Sequence, residues 1–88
     1  MKAWELLSSP EKWTQGTYAR DKKAQPVNIN STEAESFCVT GAITRCYPNV
    51  YEQDQKIFNL GAKVGGIVIW NDHSTYEQVH SVLKELDI

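Results

Sequence analysis

The segment from Thr32 to about Tyr47 constrains the fold more than any other part of this sequence. Its first residues, Thr32-Glu33-Ala34-Glu35, have the pattern of a helix capping box, in which a threonine and a glutamate three residues later satisfy each other's backbone N–H groups. Small and apolar residues then recur at spacings of three and four, which is typical of one buried helix face: Ala34, Phe37, Cys38, Gly41, Ala42 and Cys46. We therefore predict a central helix over residues 32–47.

Gly41 lies in the middle of that predicted face. A glycine inside a helix costs about 1 kcal/mol relative to alanine. Its presence indicates that another helix or a stretch of backbone approaches closely at this point.

The rest of the chain predicts several shorter elements. Residues 2–13 read as a short helix and a second turn that begins at Ser9-Pro10. Residues 50–60 read as a helix that Gly61 ends. The β-branched segment 67–70 favours a buried strand, and a second capping box at Ser74-Thr75-Tyr76-Glu77 favours a final helix.

Residues 17–29 read as extended chain on both sides of a polar tip. Residues 17–20 and 25–29 would be the strands of a hairpin, and residues 21–24 its loop, with Asp21 bonding backbone N–H groups in the turn. Pro26 cannot donate a ladder hydrogen bond, so the returning strand should lie at an edge.

Length and composition indicate the fold class and the number of domains that these elements form. With 88 residues, 41% of them hydrophobic, the chain is long enough for one modest core and too short for two domains. We predict a single α+β domain over residues 1–88, mostly helical, with a β-hairpin or small antiparallel sheet.

Charge and hydropathy exclude several classes of function. A net charge of -2 argues against non-specific nucleic-acid binding, which needs an excess of cations. The longest uncharged apolar stretch, residues 65–70, is much shorter than the ~20 residues of a membrane-spanning helix.

The two cysteines indicate the compartment. Cys38 and Cys46 are eight residues apart on one predicted helix, so their Cα atoms would be about 12 Å from each other, too far for a disulfide. They would therefore remain free thiols, as in a reducing compartment. We expect a cytoplasmic protein with no membrane contact.

Candidate catalytic groups are few. Cys38 near the start of a helix could act as a nucleophile with His73 or Asp72, or it could be a small buried core residue. His73 and His80 are seven residues apart, about 10 Å on a helix, so one metal ion cannot bind both. We predict no metal site and no cofactor.

Two further groups of residues are candidate binding positions. Asn71 and Asp72, between a predicted strand and a predicted helix, could orient a ligand beside free helix N–H groups or could simply form an Asx turn. Arg20, Lys22 and Lys23 form a basic tip that could meet an acidic partner or be an ordinary solvated loop. Residues 1–30 carry five Lys/Arg and three Asp/Glu, a net of +2, whereas residues 31–88 carry four and eight, a net of -4. Such asymmetry can steer a protein partner.

Three motifs occur together in this chain: Trp13-Thr14-Gln15-Gly16, Phe37-Cys38-Val39-Thr40-Gly41-Ala42-Ile43, and Trp70-Asn71-Asp72 followed by Thr75 and Val79. In this order they resemble a family of short bacterial and phage proteins that is catalogued as a domain of unknown function. The family pattern has a glycine at the hairpin tip, where this chain has Ala24. The resemblance implies a shared small fold without assigning an activity, and it implies that Cys38, Gly41, Trp70, Asn71 and Asp72 matter to the architecture.

We therefore expect a small protein-binding module. In its most specific form, the hypothesis is a phage-derived protein that inhibits or modulates a host or defence macromolecule. The alternative is a small enzyme or ligand-binding protein that uses Cys38 with His73 or Asp72. A homo-oligomeric structural component is a third possibility, which light scattering would test.

Overall fold

The computed structural model describes all 88 residues and contains five α-helices, one 3-10 turn and a two-stranded sheet. The α+β class predicted from the sequence is confirmed, with helices in the majority. The helices are α1 (Ala3–Leu6), α2 (Val39–Cys46), α3 (Val50–Val64), α4 (Ile67–His73) and α5 (Tyr76–Glu85); the strands are β1 (Ala19–Arg20) and β2 (Ser36–Phe37), and the 3-10 turn is Pro10–Lys12.

Helix α2 lies at the centre of the packing and contacts α1, α3 and α4. Its residues Val39, Ala42 and Ile43 are fully buried. The core is completed by large side chains from the other helices and from both ends of the chain, namely Leu7, Leu60, Val79, Leu83 and Ile88. Burying an aliphatic side chain of this size stabilises a fold by about 1.5–3 kcal/mol.

Gly41 permits the close approach that the sequence predicts. A Cβ atom at this position would collide with the backbone carbonyl of Tyr18, which lies directly against the helix. The Cys38 N–H also donates to the Tyr18 carbonyl oxygen at 3.1 Å. Gly41 therefore lets the β1 segment lie against the first turn of α2.

The predicted central helix is wrong over residues 32–38, nearly half of the predicted range. Residues 32–33 form a turn, in which the Ser31 hydroxyl accepts from the Glu33 N–H, and Ser36–Phe37 is strand β2. The Glu35 N–H donates to the Arg20 carbonyl at 2.8 Å, so the segment pairs with β1 instead of forming a helical turn. Helix α2 begins at Val39 and has Cys38 as its N-cap.

The predicted hairpin turn is present and its two arms are hydrogen-bonded on either side of Arg20 and Pro26, but the returning arm does not form a strand. Strand β1 pairs antiparallel with β2, Ala19 opposite Phe37, whereas the returning segment makes only an isolated bridge between Arg20 and Pro26. In the turn, Asp21 Oδ1 accepts from the N–H groups of Lys23 and Gln25 at 2.8 and 2.9 Å. Ala24 has φ +64°, the left-handed conformation that favours glycine.

The predicted strand at residues 67–70 is wrong, because these residues form the first turns of α4. Ile67 and Trp70 pack against the core, whereas Val68 and Ile69 are exposed. This spacing suits a short helix that buries one side.

The ends of the other helices differ slightly from the sequence-based bounds. Helix α3 continues through Gly61 and ends at Val64, followed by Gly65 at φ +80°. Helix α5 has Thr75 as its N-cap in a reciprocal capping box with Gln78, one residue later than predicted. No helix of the chain has both the length and the apolar character needed to cross a bilayer.

Candidate functional site

Asn71 is buried, 2% exposed, and joins three separate segments of the chain. Its Oδ1 accepts from the Trp13 indole N–H at 2.8 Å and from the Val39 backbone N–H at 3.0 Å. Its Nδ2 donates to the Thr14 carbonyl at 3.2 Å and to Asp72 Oδ1 at 3.0 Å. The side chain thus uses both amide protons and accepts two hydrogen bonds, the full capacity of an asparagine amide.

These contacts bring the three sequence motifs together. Trp13 and Thr14 belong to the first motif, Val39 to the second, and Asn71 and Asp72 to the third. Because the Val39 N–H is in the first turn of α2 and has no partner within the helix, the Asn71 oxygen completes the capping of α2.

The loop after Trp13 is fixed at further points. The Gln15 amide donates to the carbonyls of Asn71 and Ser74, at 3.0 and 3.3 Å. The Gly16 N–H donates to Asp72 Oδ1 at 3.2 Å, with Gly16 at φ +82°. The loop is therefore held against α4 along most of its length.

Arg20 holds the same loop from its other side. Its guanidinium donates to the Thr14 hydroxyl at 2.9 Å, to the Gln15 carbonyl at 3.0 Å and to the Ala24 carbonyl at 3.1 Å. This side chain, predicted as part of a basic binding tip, is occupied by contacts within the chain. Lys22 and Lys23 are exposed and make no side-chain hydrogen bond or ion pair, so the free charge of the tip lies on these two residues.

An open cavity of about 330 Å³ lies beside this network. Two of its lining residues, Tyr18 and Val68, have large side chains that are more than half exposed, and we call this exposed edge the mouth of the cavity. The lining comes from the first-motif loop with the start of β1, the start of α2, and α4: Gly16, Thr17, Tyr18, Cys38, Thr40, Val68, Asn71 and Asp72.

Cys38 lines this cavity as the N-cap of α2. Its sulfur accepts from the Gly41 N–H at 3.3 Å, and the residue is 7% exposed. Burial raises the pKa of the Cys38 thiol, and the carboxylate of Asp72 acts in the same direction, against backbone N–H groups that lower it. A raised pKa favours the protonated thiol, which is a weaker nucleophile than the thiolate. The predicted helix over residues 32–47 would have placed Cys38 inside the helix, and the structure places it before the first turn instead.

Asp72 supplies the negative charge of the cavity. Hydrogen bonds from the Asn71 amide and the Gly16 N–H hold the pKa of the Asp72 carboxyl below its usual range. Both bonds go to Oδ1, and Oδ2 makes no hydrogen bond or ion pair within the chain. Asp72 does not form the predicted Asx turn between a strand and a helix, since it lies inside α4 with Asn71.

The structure brings together some of the predicted catalytic residues and leaves one out. Cys38 and Asp72 line the same cavity, whereas His73 is exposed and does not line it. The His73 ring is bound through Nδ1 to the Ile69 carbonyl at 2.9 Å. Of the two pairings considered from the sequence, only Cys38 with Asp72 occurs at one site.

Sequence reasoning missed the residues that complete the site. Thr17, Tyr18, Thr40 and Val68 carry no recognisable motif of their own. Two of them could have been predicted from the motifs, because Thr40 lies inside the second motif and Thr17 follows directly after the first. Tyr18 and Val68 become part of the site only through the tertiary fold.

Comparison with protein families gives a match over residues 1–86 to the model described as "Family of unknown function (DUF6197)". This match confirms the sequence-based resemblance to a family catalogued in that way. No curated protein and no solved structure matches the chain significantly.

Proposed function

Because the chain belongs to a family of unknown function, DUF6197, we propose its role from the site itself: it is a small protein-binding module that contacts its partner through the face around the cavity. One observation carries the proposal. Asn71 joins the three motifs at one open cavity, and the side chains at the mouth of that cavity, Tyr18 and Val68, are apolar and exposed.

The exposure of these two side chains supports binding. Tyr18 is 54% exposed and Val68 55% exposed, although both adjoin a concave surface. Large apolar side chains around a cavity are typical of surfaces that bind another molecule. Tyrosine is also enriched in protein–protein interfaces, because it combines a large apolar area with a hydroxyl.

The polar groups of the site support binding over catalysis. Asn71 is fully used in holding backbone segments together, and the pKa of the Cys38 thiol is raised. A nucleophilic thiol needs a base that can take its proton. The candidate base on the same cavity, Asp72, is a weak base because its pKa is lowered, and His73 lies outside the cavity.

The finer form of the proposal concerns the partner and the compartment. We propose that the chain is phage-derived and that the partner is a host or defence macromolecule, on the strength of the motif resemblance. A cytoplasmic setting is consistent with two free cysteines, which persist in reducing surroundings. Lys22 and Lys23 are proposed as a second contact for an acidic part of the same partner.

The test compares two pairs of exposed apolar residues. Immobilised wild-type protein captures partners from bacterial lysate, and the retained proteins are quantified by mass spectrometry beside the double variants Tyr18→Ser/Val68→Ser and Tyr51→Ser/Phe58→Ser. Tyr51 and Phe58, on α3, are 87% and 75% exposed and do not line the cavity. We expect a protein that wild type and the α3 variant retain equally and that the cavity-mouth variant loses at least tenfold. Equal retention by all three proteins would contradict the proposal.

A small-ligand or enzymatic role is a second candidate, favoured by the position of Cys38 and Asp72 on one cavity. Thiol labelling separates it from the first. Under the binding proposal, Cys38 reacts with iodoacetamide near pH 7 more slowly than it does in urea, because the thiol is buried and protonated. Labelling in the folded protein that is faster than in urea would favour the enzymatic candidate.

A further inference from the structure

We propose that the cavity receives a cationic side chain of the partner, a lysine or an arginine, with Asp72 as its counter-ion. This inference rests on the proposed binding function and specifies the chemistry of the group that enters the cavity. Three observations carry it: the free oxygen of Asp72, two hydroxyls without partners, and the apolar mouth.

Asp72 is a carboxylate that forms no ion pair within the chain, although the ring of the neighbouring His73 contributes to lowering its pKa. Its Oδ1 is bound by the Asn71 amide and the Gly16 N–H, which fix the orientation of the carboxyl group. Its Oδ2 is free, and the ion pairs of the chain are elsewhere, between Lys2 and Asp87 and between Lys63 and Glu85. An oriented carboxylate with one free oxygen is a ready acceptor for an N–H group that carries positive charge.

Two hydroxyls of the lining can also accept hydrogen bonds, although each can donate one as well. The hydroxyls of Thr17 and Thr40 make no hydrogen bond within the chain, and each can accept from a donor in the cavity. No Lys or Arg lines the cavity, since the Arg20 guanidinium is bound to the carbonyls and hydroxyl of its own loop. An ammonium group has three donors and a guanidinium five, so either can use this set of acceptors.

The mouth of the cavity suits the stem of such a side chain. Lysine and arginine carry three or four methylene groups that pack on apolar surface while the charged end stays hydrogen-bonded. Val68 offers apolar contact for these groups, and Tyr18 offers an aromatic side chain, to which cations are attracted.

Other ligand classes fit less well. The Asp72 carboxylate would repel a phosphate or a carboxylate. A calcium or magnesium ion takes about six or more oxygen ligands, usually with several carboxylates, and the chain has no cluster of three or more His, Cys, Asp or Glu. An uncharged apolar ligand would leave the free Asp72 oxygen and both hydroxyls without partners.

Amide chemical shifts of the full chain, measured during titration with small probes, test the proposal. The cationic probes are n-butylammonium and ethylguanidinium chloride, and the neutral counterparts are n-butanol and ethylurea, all against sodium chloride at equal ionic strength. We expect the cations, at millimolar concentration, to shift the amides of Gly16, Thr17 and Thr40, and the neutral probes to leave them in place. Whichever cation gives the lower dissociation constant identifies the side chain as lysine-like or arginine-like.

Two matched variants locate the effect. Asp72→Asn keeps the size of the side chain and the Oδ1 contacts but replaces the free oxygen with a donor; we expect it to weaken the binding of both cations at least fivefold. Asp54→Asn, an exposed carboxylate on α3 outside the cavity, should bind as wild type does. If Asp72→Asn does not fold, Thr40→Val replaces it, with at least a twofold weakening expected.

The outcomes separate this inference from the proposed function. Shifts that are absent, equally large with neutral probes, or unchanged in Asp72→Asn overturn the cationic ligand. If the cavity-mouth variant Tyr18→Ser/Val68→Ser still loses the partner in that case, the binding function stands without it. The converse result is also informative. If probe binding depends on Asp72 but the cavity-mouth variant Tyr18→Ser/Val68→Ser retains the partner as wild type does, the cation site is supported and the proposed function is overturned.

Discussion

Replacement of Asn71 by alanine tests how much of the fold depends on one side chain. The substitution removes four hydrogen bonds, to Trp13, Val39, Thr14 and Asp72. The Val39 N–H is buried and would be left without a partner, at a cost of about 2 kcal/mol, and the half-buried Trp13 indole N–H would cost about 1 kcal/mol more. The bonds to Thr14 and Asp72 lie nearer the surface, where water can replace them.

The expected loss is therefore about 3 kcal/mol of unfolding free energy. For 88 residues the total stability is on the order of 4–13 kcal/mol, so the variant should remain folded but be much weaker. A loss of this size lowers Tm by about 12–24 °C for a domain of fewer than 100 residues.

Urea denaturation followed by tryptophan fluorescence measures the effect. The matched control is Asn59→Ala, because Asn59 is an exposed asparagine on α3 without a side-chain hydrogen bond, and it should change stability by less than about 0.5 kcal/mol. If Asn71→Ala lost no more than this control, the assignment of Asn71 as the residue that joins the three segments would be refuted.

Substitutions at four further positions test three local features by the same urea assay. Gly41→Ala should destabilise by more than 1 kcal/mol, because its Cβ meets the Tyr18 carbonyl, whereas Gly61→Ala, with nothing within 4 Å, should stabilise α3 by about 0.5–1 kcal/mol; the same sign for both would contradict the close approach. Ala24→Gly should stabilise by up to about 1 kcal/mol, because Ala24 has φ +64°, and any loss would show that this turn is not strained. Cys38→Ala should cost about 1 kcal/mol through loss of the N-cap, and Cys38→Ser, which keeps an acceptor for the Gly41 N–H, should cost less; the reverse order would contradict the capping role.

The fold class and several local features could be predicted from the sequence because they depend on local chemistry. Ser9-Pro10 begins a turn since Pro10 lacks an N–H and has φ preset for it, and the structure has a 3-10 helix with Pro10 first. Asp21 forms the predicted turn through its own carboxylate. Gly41 was informative because an interior glycine is unfavourable without a close neighbour.

The errors occur where tertiary packing overrides a local preference. Thr32 and Glu35 match a capping box, but the backbone of Glu35 pairs with Arg20 at the end of β1, so the helix begins seven residues later, at Val39. That pairing joins residues far apart in sequence, and no local pattern reveals it.

The α4 segment shows the same limit. Ile67-Val68-Ile69-Trp70 is apolar throughout, and a short run of this kind does not distinguish a buried strand from a helix. The deciding fact is that Ile67 and Trp70 face the core while Val68 and Ile69 do not. The predicted position of the candidate site was wrong for the same reason, because Asn71 and Asp72 lie on helix α4 and not in a loop after a strand.

The family resemblance identified more of the candidate site than the periodicity of the sequence did. It marked Cys38, Asn71 and Asp72 together, and these three residues line one cavity. Neither composition nor periodicity relates the first motif to the third, since the Trp13–Asn71 hydrogen bond spans 58 positions of the chain.

Hydrogen exchange tests most directly whether Asn71 joins the three motifs into one site. The exchange rates of the Trp13 indole proton and the Gly16 and Val39 amide protons are measured by NMR in wild type and Asn71→Ala, each relative to the Leu60 amide in the core of α3. We predict that all three protons lose protection in the variant by more than Leu60 does, because each is bonded to Asn71 or to Asp72, which Asn71 holds. Protection that falls only in step with Leu60 would contradict a shared connection through Asn71.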